Sequence, residues 1–361
     1  MNTLNQLRNH GQSIWLDLLD RKIMDSGKLQ SLINQDDLRG LTSNPSIFEK
    51  AITGSSDYDK DIAKFAEKEA DNAAIFFDLA IADIQRAAAI FKPVYDKTNG
   101  KDGFVSLEVS PYLARDTEGT IKQARDLWKR VGRENVMIKI PGTKEGLTAI
   151  RKCLSEGINV NITLLFGLPR YREITEAFMA GLEDRISQGH SIKNVSSVAS
   201  FFLSRIDVLV DPMLAENGTK KLSGKIAIAS AKMAYQIYLD MISSDRFKKL
   251  EAKGAQRQRV LWASTSTKDP SYSDVLYVEN LIGKETINTL PMETIDAFRD
   301  HGKVTDSLTE GIEEAKTDLD ELMKIGIDID KITQQLEDEG IEKFNSAYDK
   351  LLKSIEDQKR K

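Results

Sequence analysis

Lys139 lies in the run Asn135-Val136-Met137-Ile138-Lys139-Ile140-Pro141-Gly142, a lone cation centred in an otherwise apolar, strand-like stretch. An ammonium in apolar surroundings is costly, so a lysine of this kind tends to give up its proton. A neutral amine is a nucleophile and forms a Schiff base with a ketone. Lysines beside a strand more often carry their heads out to water, so the reading depends on the company Lys139 keeps. Asp17, Asn44, Glu108, Thr163, Ser200 and Ser264 also fall at or near the ends of short apolar runs. Two acids, an amine and several hydroxyls around one mouth are what Schiff-base chemistry on a sugar needs. The amine attacks the carbonyl, a carboxyl group shuttles protons during dehydration and C–C cleavage, and hydroxyls and amides hold the sugar hydroxyls.

Each residue has a plainer reading. Asp17 could cap a following helix, and Glu108 could be a solvated rim carboxylate. Asn44 precedes Pro45, a common start to a turn or helix. Asn161 and Thr163 could be simple strand-end polar residues, although their spacing of two puts both on one face of a strand. The same parity places Met137 one layer below Lys139. Ser264-Thr265-Ser266-Thr267 could be a polar loop, or with Lys268 a phosphate site. Arg205 is a second phosphate candidate, because its fork matches phosphate oxygens. Joint coincidence separates the two readings better than any single residue.

These side chains need a scaffold that brings strand ends together. Eight short apolar or β-branched runs end in polar residues: Ser13–Asp17, Gly40–Asn44, Phe104–Val109, Val136–Ile140, Asn159–Thr163, Val195–Ser200, Val260–Ser264 and Thr286–Leu290. Helical patterns lie between them, as at Glu118–Val131, Lys144–Glu156, Tyr171–Gln188 and Lys225–Ser243. Strands alternating with helices imply parallel pairing, and eight such units imply an α/β fold of the (β/α)8 TIM-barrel type. In that fold the active site forms at the carboxyl ends of the strands. Helical insertions are expected at 45–103, including a helix over Asp71–Phe91, and at 201–258. Residues 306–361 read as extra C-terminal helices packed on the outside of the barrel, with a helical period at Ile341, Phe344, Ala347, Leu351 and Ile355. The whole of 1–361 is expected to form one domain.

Composition narrows the remaining classes. The chain has 361 residues, 40% hydrophobic and 30% charged, with a net charge of -5. That balance is ordinary for a soluble globular protein and argues against a nucleic-acid surface. No run approaches a membrane span, and the N-terminal residues lack the apolar core of a signal peptide. Cys153 is the only cysteine, so there is no internal disulfide and cytoplasm is the natural location. The sequons at Asn161, Asn194 and Asn217 are then chance matches. His10, His190 and His301 are scattered, which with one cysteine gives no His/Cys metal cluster. Neither GxGxxG nor GxxxxGK[ST] occurs, so the usual nucleotide cradles are absent.

Leu41-Thr42-Ser43-Asn44-Pro45-Ser46 resembles the transaldolase signature at the second strand. Val136 to Thr143 resembles that family's second signature, which holds the Schiff-base lysine. Gly157 to Phe166 resembles the fifth-strand motif, and Val105-Ser106-Leu107-Glu108-Val109 the strand bearing the catalytic glutamate. The resemblance runs from about residue 13 to 300, and the extra C-terminal helices are similar to those of the longer bacterial branch.

The resemblance implies a barrel enzyme that moves a dihydroxyacetone unit from sedoheptulose 7-phosphate to glyceraldehyde 3-phosphate, with no metal or organic cofactor. Lys139 would carry the Schiff base and Asp17 would shuttle the proton for cleavage. Glu108 and Thr163 would hold a relay water. Asn44 and Asn161 would bind the dihydroxyacetone hydroxyls, and Thr42 and Ser200 would shape the pocket. Arg205 would bind phosphate. Many members carry a second phosphate-binding arginine where this chain has Ser266, and Lys268 is the candidate substitute. Aldolase-like relatives, which release free dihydroxyacetone, tend to carry Gln at the place of Glu108 and Tyr at the place of Phe202. The pair here favours transfer. A catalytically silent sugar-phosphate sensor is the alternative from another class. Sugar phosphates are the expected partners, without nucleic acid or membrane. A homodimer is expected from the habit of such barrels, with no interface legible in the sequence.

Overall fold

In the computed structural model, which describes residues 2–67 and 71–359, eight parallel strands close on themselves in chain order. They are β1 (Gln12–Leu16), β2 (Leu38–Leu41), β3 (Phe104–Glu108), β4 (Val136–Pro141), β5 (Val160–Leu165), β6 (Ser197–Phe202), β7 (Arg259–Ala263) and β8 (Thr286–Leu290). β1 pairs with both β2 and β8, which closes the ring. The expected (β/α)8 barrel is therefore the fold. Three strands end more than one residue from expectation, and one of them, β5, runs on to Leu165 past Thr163. β2 stops at Leu41 rather than Asn44, because the Asn44 side chain accepts from Ile47 N at 3.0 Å and caps the helix Pro45–Thr53. Its Pro45 has no N–H for a ladder and suits a first helical position. β6 runs on through Phe201 and Phe202, so Ser200 sits inside the strand instead of at its end.

The surrounding helices follow local signals. The helix Thr117–Val131 starts at Asp116, whose side chain accepts from Gly119 N, and stops at Gly132 with φ 57°. It buries Ile121, Ala124, Leu127 and Val131, spaced three or four apart, so that one stripe faces the barrel. Thr143 caps Lys144–Ser155 in the same way. The 45–103 insertion holds Pro45–Thr53, Asp59–Ala66 and the long Asn72–Lys97. The 201–258 segment holds Ser204–Glu216, Ile226–Ser243 and Asp245–Glu251. At the C-terminal end, Ile312–Lys324 is followed by Ile329–Lys359. The latter buries Ile332, Leu336, Ile341, Phe344, Tyr348, Leu351 and Ile355, with Tyr348 taking the buried place and Ala347 only half-buried. It lies against Pro45–Thr53 and also reaches β5. No helix among the described residues is long and apolar enough to cross a membrane.

The barrel interior is layered. At the amino end, Arg259 Nη2 and Asp102 Oδ1 form a buried ion pair at 2.8 Å, joined by Ser13, which donates to Asp102 at 2.9 Å. Charges this deep persist only when paired and bonded. Above them sits Trp15, fully buried and in register with Gly40 of β2. A Cβ on Gly40 would lie 2.5 Å from Trp15 Cε2, so the indole occupies the space that a side chain on β2 would take. The top layer, around Lys139 and Glu108, is polar.

Gly40→Ala is accordingly expected to destabilise the barrel by about 1–3 kcal/mol through overpacking against the indole. Urea denaturation checks this: the midpoint should fall while the slope m stays unchanged.

Candidate active site

Parallel register brings the proposed reactive groups together. Glu108 at the end of β3 is in register with Lys139 on β4, and Lys139 with Asn161 on β5. In-register residues on neighbouring strands point the same way, so the Lys139 amine and the Glu108 carboxyl meet inside the barrel. Lys139 Nζ lies 3.1 Å from Glu108 Oε2 and donates to the carbonyl oxygen of Ser43 at 2.9 Å. Both side chains are nearly out of reach of solvent, at 4% and 5% exposure for the two residues. The strand around Lys139 is apolar, as its sequence reads, but the amine itself ends among polar groups. Burial pushes the Glu108 carboxyl above its ordinary value, with Lys139 opposing and Asp17 adding to the rise. Glu108 Oε1 and Thr163 Oγ1 are buried oxygens without a hydrogen-bond partner in the protein.

Asp17 follows β1 and accepts from Thr42 Oγ1 at 2.7 Å. Thr42 Oγ1 also lies 2.7 Å from Thr289 Oγ1 at the end of β8. Burial raises the Asp17 carboxyl, while the Thr42 hydrogen bond and the charges of Lys139 and Lys50 pull it down. Below the amine, a chain of bonds fixes the floor. Ser43 Oγ donates to the Ser106 carbonyl at 2.8 Å, Asn161 Nδ2 to Ser106 Oγ at 3.0 Å, and Ser200 Oγ to Asn161 Oδ1 at 2.7 Å.

A cavity of about 340 Å3 opens at the carboxyl ends of the strands, lined by Asp17, Thr42, Asn44, Lys139, Thr163, Ser200, Phe202, Arg205, Ser264 and Lys268. Ten of the twelve residues singled out in the sequence thus share one wall. Glu108 and Asn161 do not reach it: Glu108 stands behind Lys139, and the fully buried Asn161 is held by Ser106 and Ser200. At one end of the cavity, Arg205 is the second residue of Ser204–Glu216, so cation and helix N-terminus coincide, an arrangement suited to anions. Ser264, with φ 55°, lies 2.8 Å from Ser204 between their hydroxyl oxygens, and Lys268 Nζ donates to Ser266 Oγ at 2.6 Å.

Several lining residues escaped the sequence reading: Lys50, Thr289, Glu293 and Phe344. Thr289 carries a usable signal, a hydroxyl near the end of the eighth strand. Phe344 shows only a helical period, which reads as core. Lys50 and Glu293 sit on helices and become neighbours of the site only through folding. Among the described residues, no group of three or more His, Cys, Asp or Glu side chains is placed to hold a metal ion.

A barrel with a buried lysine, a carboxyl against its amine and a second acid in the same cavity defines an enzyme of the Schiff-base class. The family model described as Transaldolase/Fructose-6-phosphate aldolase matches residues 14–355, and the chain belongs to that family. It is 48% identical to a protein named Transaldolase from Trichodesmium erythraeum, over 100% of this chain and 98% of the relative. It is 46% identical to Transaldolase 2 of Nostoc punctiforme, over 99% and 97%. Transaldolase of Thiobacillus denitrificans matches at 44% over 98% and 100%.

Thr42→Val removes the donor that holds the Asp17 carboxyl down, so that carboxyl should titrate higher. The acid limb of the kcat/KM profile is expected to move up by about 1–2 pH units, the size of one lost hydrogen bond to a carboxylate. An unshifted limb in a folded variant would detach Asp17 from that limb.

Proposed function

We infer that this chain is a transaldolase of the non-oxidative pentose phosphate pathway, moving a dihydroxyacetone unit from sedoheptulose 7-phosphate to glyceraldehyde 3-phosphate. The products are erythrose 4-phosphate and fructose 6-phosphate. The observation that carries the reading is the Lys139 amine, 3.1 Å from the Glu108 carboxyl, in a cavity that also holds Asp17. The full-length relatives named transaldolase support it.

The chemistry follows from the positions. Lys139 Nζ, its proton taken by Glu108, attacks the C2 carbonyl of the ketose. A raised carboxyl is the better proton acceptor, and burial raises that of Glu108. Loss of water from the carbinolamine gives the iminium. A water between Glu108 and Thr163 would satisfy their unpartnered oxygens and relay these protons. Asp17 then takes the proton of the C4 hydroxyl. The C3–C4 bond breaks, its electron pair moves into the iminium to form an enamine, and erythrose 4-phosphate leaves. The enamine carbon attacks the incoming aldehyde, Asp17 returns its proton to the new hydroxyl, and hydrolysis frees fructose 6-phosphate.

Asn44 is read as a ligand of the dihydroxyacetone hydroxyls through its amide NH2, because its oxygen is committed to the helix cap. Ser200 is read as binding the same unit from the floor, with the contact expected of Asn161 made only through the Ser200 hydroxyl that Asn161 holds, and Thr42 as holding Asp17. Arg205, with Ser264 and Lys268, is read as the phosphate end. Glu108 and Phe202 favour transfer over release of free dihydroxyacetone. Residues 1–361 are read as one domain in the cytoplasm, with 306–361 as its C-terminal helices and sugar phosphates as its partners. The expected homodimer and the expected lack of nucleic-acid binding belong to the same proposal.

Borohydride trapping with fructose 6-phosphate, followed by peptide mapping, tests the centre. A reduced three-carbon adduct on Lys139 is expected, and a folded protein without one would refute the Schiff base. Lys139→Met should still fold, with a lower melting temperature because Glu108 is left buried without its partner, and should lose at least about 1,000-fold in kcat, the scale seen when a covalent nucleophile is deleted. Asp17→Ala should still form the imine, trapped as the six-carbon adduct, because only cleavage needs its carboxylate. Equal cleavage rates in Asp17→Ala and the parent would remove Asp17 from the mechanism.

A further inference from the structure

The charge of Arg205 has no counter-ion at contact distance. No carboxylate among the described residues comes within ion-pair reach of its guanidinium, and Nη1 is buried without a partner. An arginine side chain loses rotamer entropy on ordering, so something other than an ion pair must hold it. The groups that flank it are aromatic. The Phe202 ring centroid lies 5.5 Å from Arg205 Cζ, and the Phe344 centroid lies 6.0 Å away. Phe202 in turn packs on Phe166 at 5.2 Å.

The two rings have different origins. Phe202 ends β6, three residues before Arg205. Phe344 comes from the helix Ile329–Lys359, far along the chain, and forms part of the cavity wall. The approach of that helix is close. A Cβ on Gly340 would lie 3.0 Å from Leu164 Cδ2 and 3.6 Å from Arg205 Nη1. Leu164 itself has a left-handed backbone, φ 55°, where β5 loses register with β6. Such a conformation is costly for a residue with a Cβ and persists only where packing enforces it. The last helix is therefore seated against Arg205 through a glycine, with an aromatic ring one turn further on.

We propose that Phe344 is a positioning residue for the phosphate end of the substrate: with Phe202 it clamps the Arg205 guanidinium in the cavity, so the C-terminal helix sets donor affinity through Arg205 without touching the reacting atoms. The inference rests on the reading of Arg205 as a phosphate ligand. A phosphate bound by Arg205 needs the fork aimed at it, whereas an unphosphorylated ketose does not use the fork. The helix thereby discriminates between these two donors.

The test compares fructose 6-phosphate with fructose as donor, using unphosphorylated glyceraldehyde as acceptor for both. Phe344→Ala is expected to raise KM for fructose 6-phosphate about 10-fold, with kcat within about twofold. The rise should be several-fold larger with fructose 6-phosphate than with fructose, and Phe344→Tyr, which keeps the ring, should restore the low KM. Phe344→Leu keeps apolar bulk without the ring, and should reproduce the rise even if alanine unseats the helix. The double variant Phe344→Ala/Arg205→Ala should be no worse than Arg205→Ala alone. Additive losses, or equal losses with both donors, would overturn the proposal. Should Arg205→Ala raise KM while both Phe344→Ala and Phe344→Leu leave it unchanged, only the clamp fails. If Arg205→Ala itself leaves KM unchanged, the phosphate reading fails and takes the clamp with it.

Discussion

Lys139 and Glu108 stand 3.1 Å apart on adjacent strands, almost wholly removed from water. Two opposite charges can occupy such a place only together, because either one left alone would keep its full desolvation penalty. The pair therefore constrains everything around it. β3 and β4 must stay in register at these two residues. The loop after β2 must bring the Ser43 carbonyl to within 2.9 Å of the amine. The layer beneath must be polar and bonded, which Ser106, Asn161 and Ser200 achieve with one another. The closed barrel supplies this stiffness, since a strand held on both sides cannot slip without disturbing its neighbours.

Around the amine, the two acids are kept in different settings. Glu108 has the lysine as its close partner and no other bond. Asp17 has a hydroxyl donor, Thr42, and sits on the cavity wall. One carboxyl is thereby coupled to the amine, and the other faces the cavity. Distinct environments for two like groups are a general route to distinct acid–base roles. Here the separation comes from strand position: β3 neighbours β4, while β1 is further round the ring.

Position in the chain also orders the rest of the cavity. Groups that would hold the three-carbon unit lie within β6 and at the cap of the helix that follows β2. Groups that would bind phosphate lie on segments that follow β6 and β7. The amino end of the barrel holds the Arg259–Asp102 pair and Trp15, while the cavity that reaches the amine lies at the carboxyl mouth. The C-terminal helix completes that mouth, crossing Pro45–Thr53 and placing Phe344 beside Arg205. A glycine at 340 gives it the required closeness to β5.

Much of this is legible in the residue order alone. Alternation of short apolar runs with helical stripes specifies the barrel, because periods of 2 and 3.6 are written into the side-chain order. Strand parity places Met137 beneath Lys139, and Asn44-Pro45 reads as a possible helix start. The ends of β2, β5 and β6 fall two or three residues from where the local pattern puts them. Strand ends depend on pairing and on the neighbouring segment of chain, which local composition does not carry. The residues with reactive potential, Asp17, Glu108, Lys139 and Thr163, are marked by type and position alone. Only the tertiary structure decided the contacts between segments far apart in the chain: the Ser43 carbonyl under the amine, Thr289 against Thr42, Lys50 and Glu293 at the mouth, and Phe344 against Arg205. The residue order determines which groups exist and the local period that orients them. Distances between elements come from how the closed barrel and its helices pack, and no local pattern encodes them.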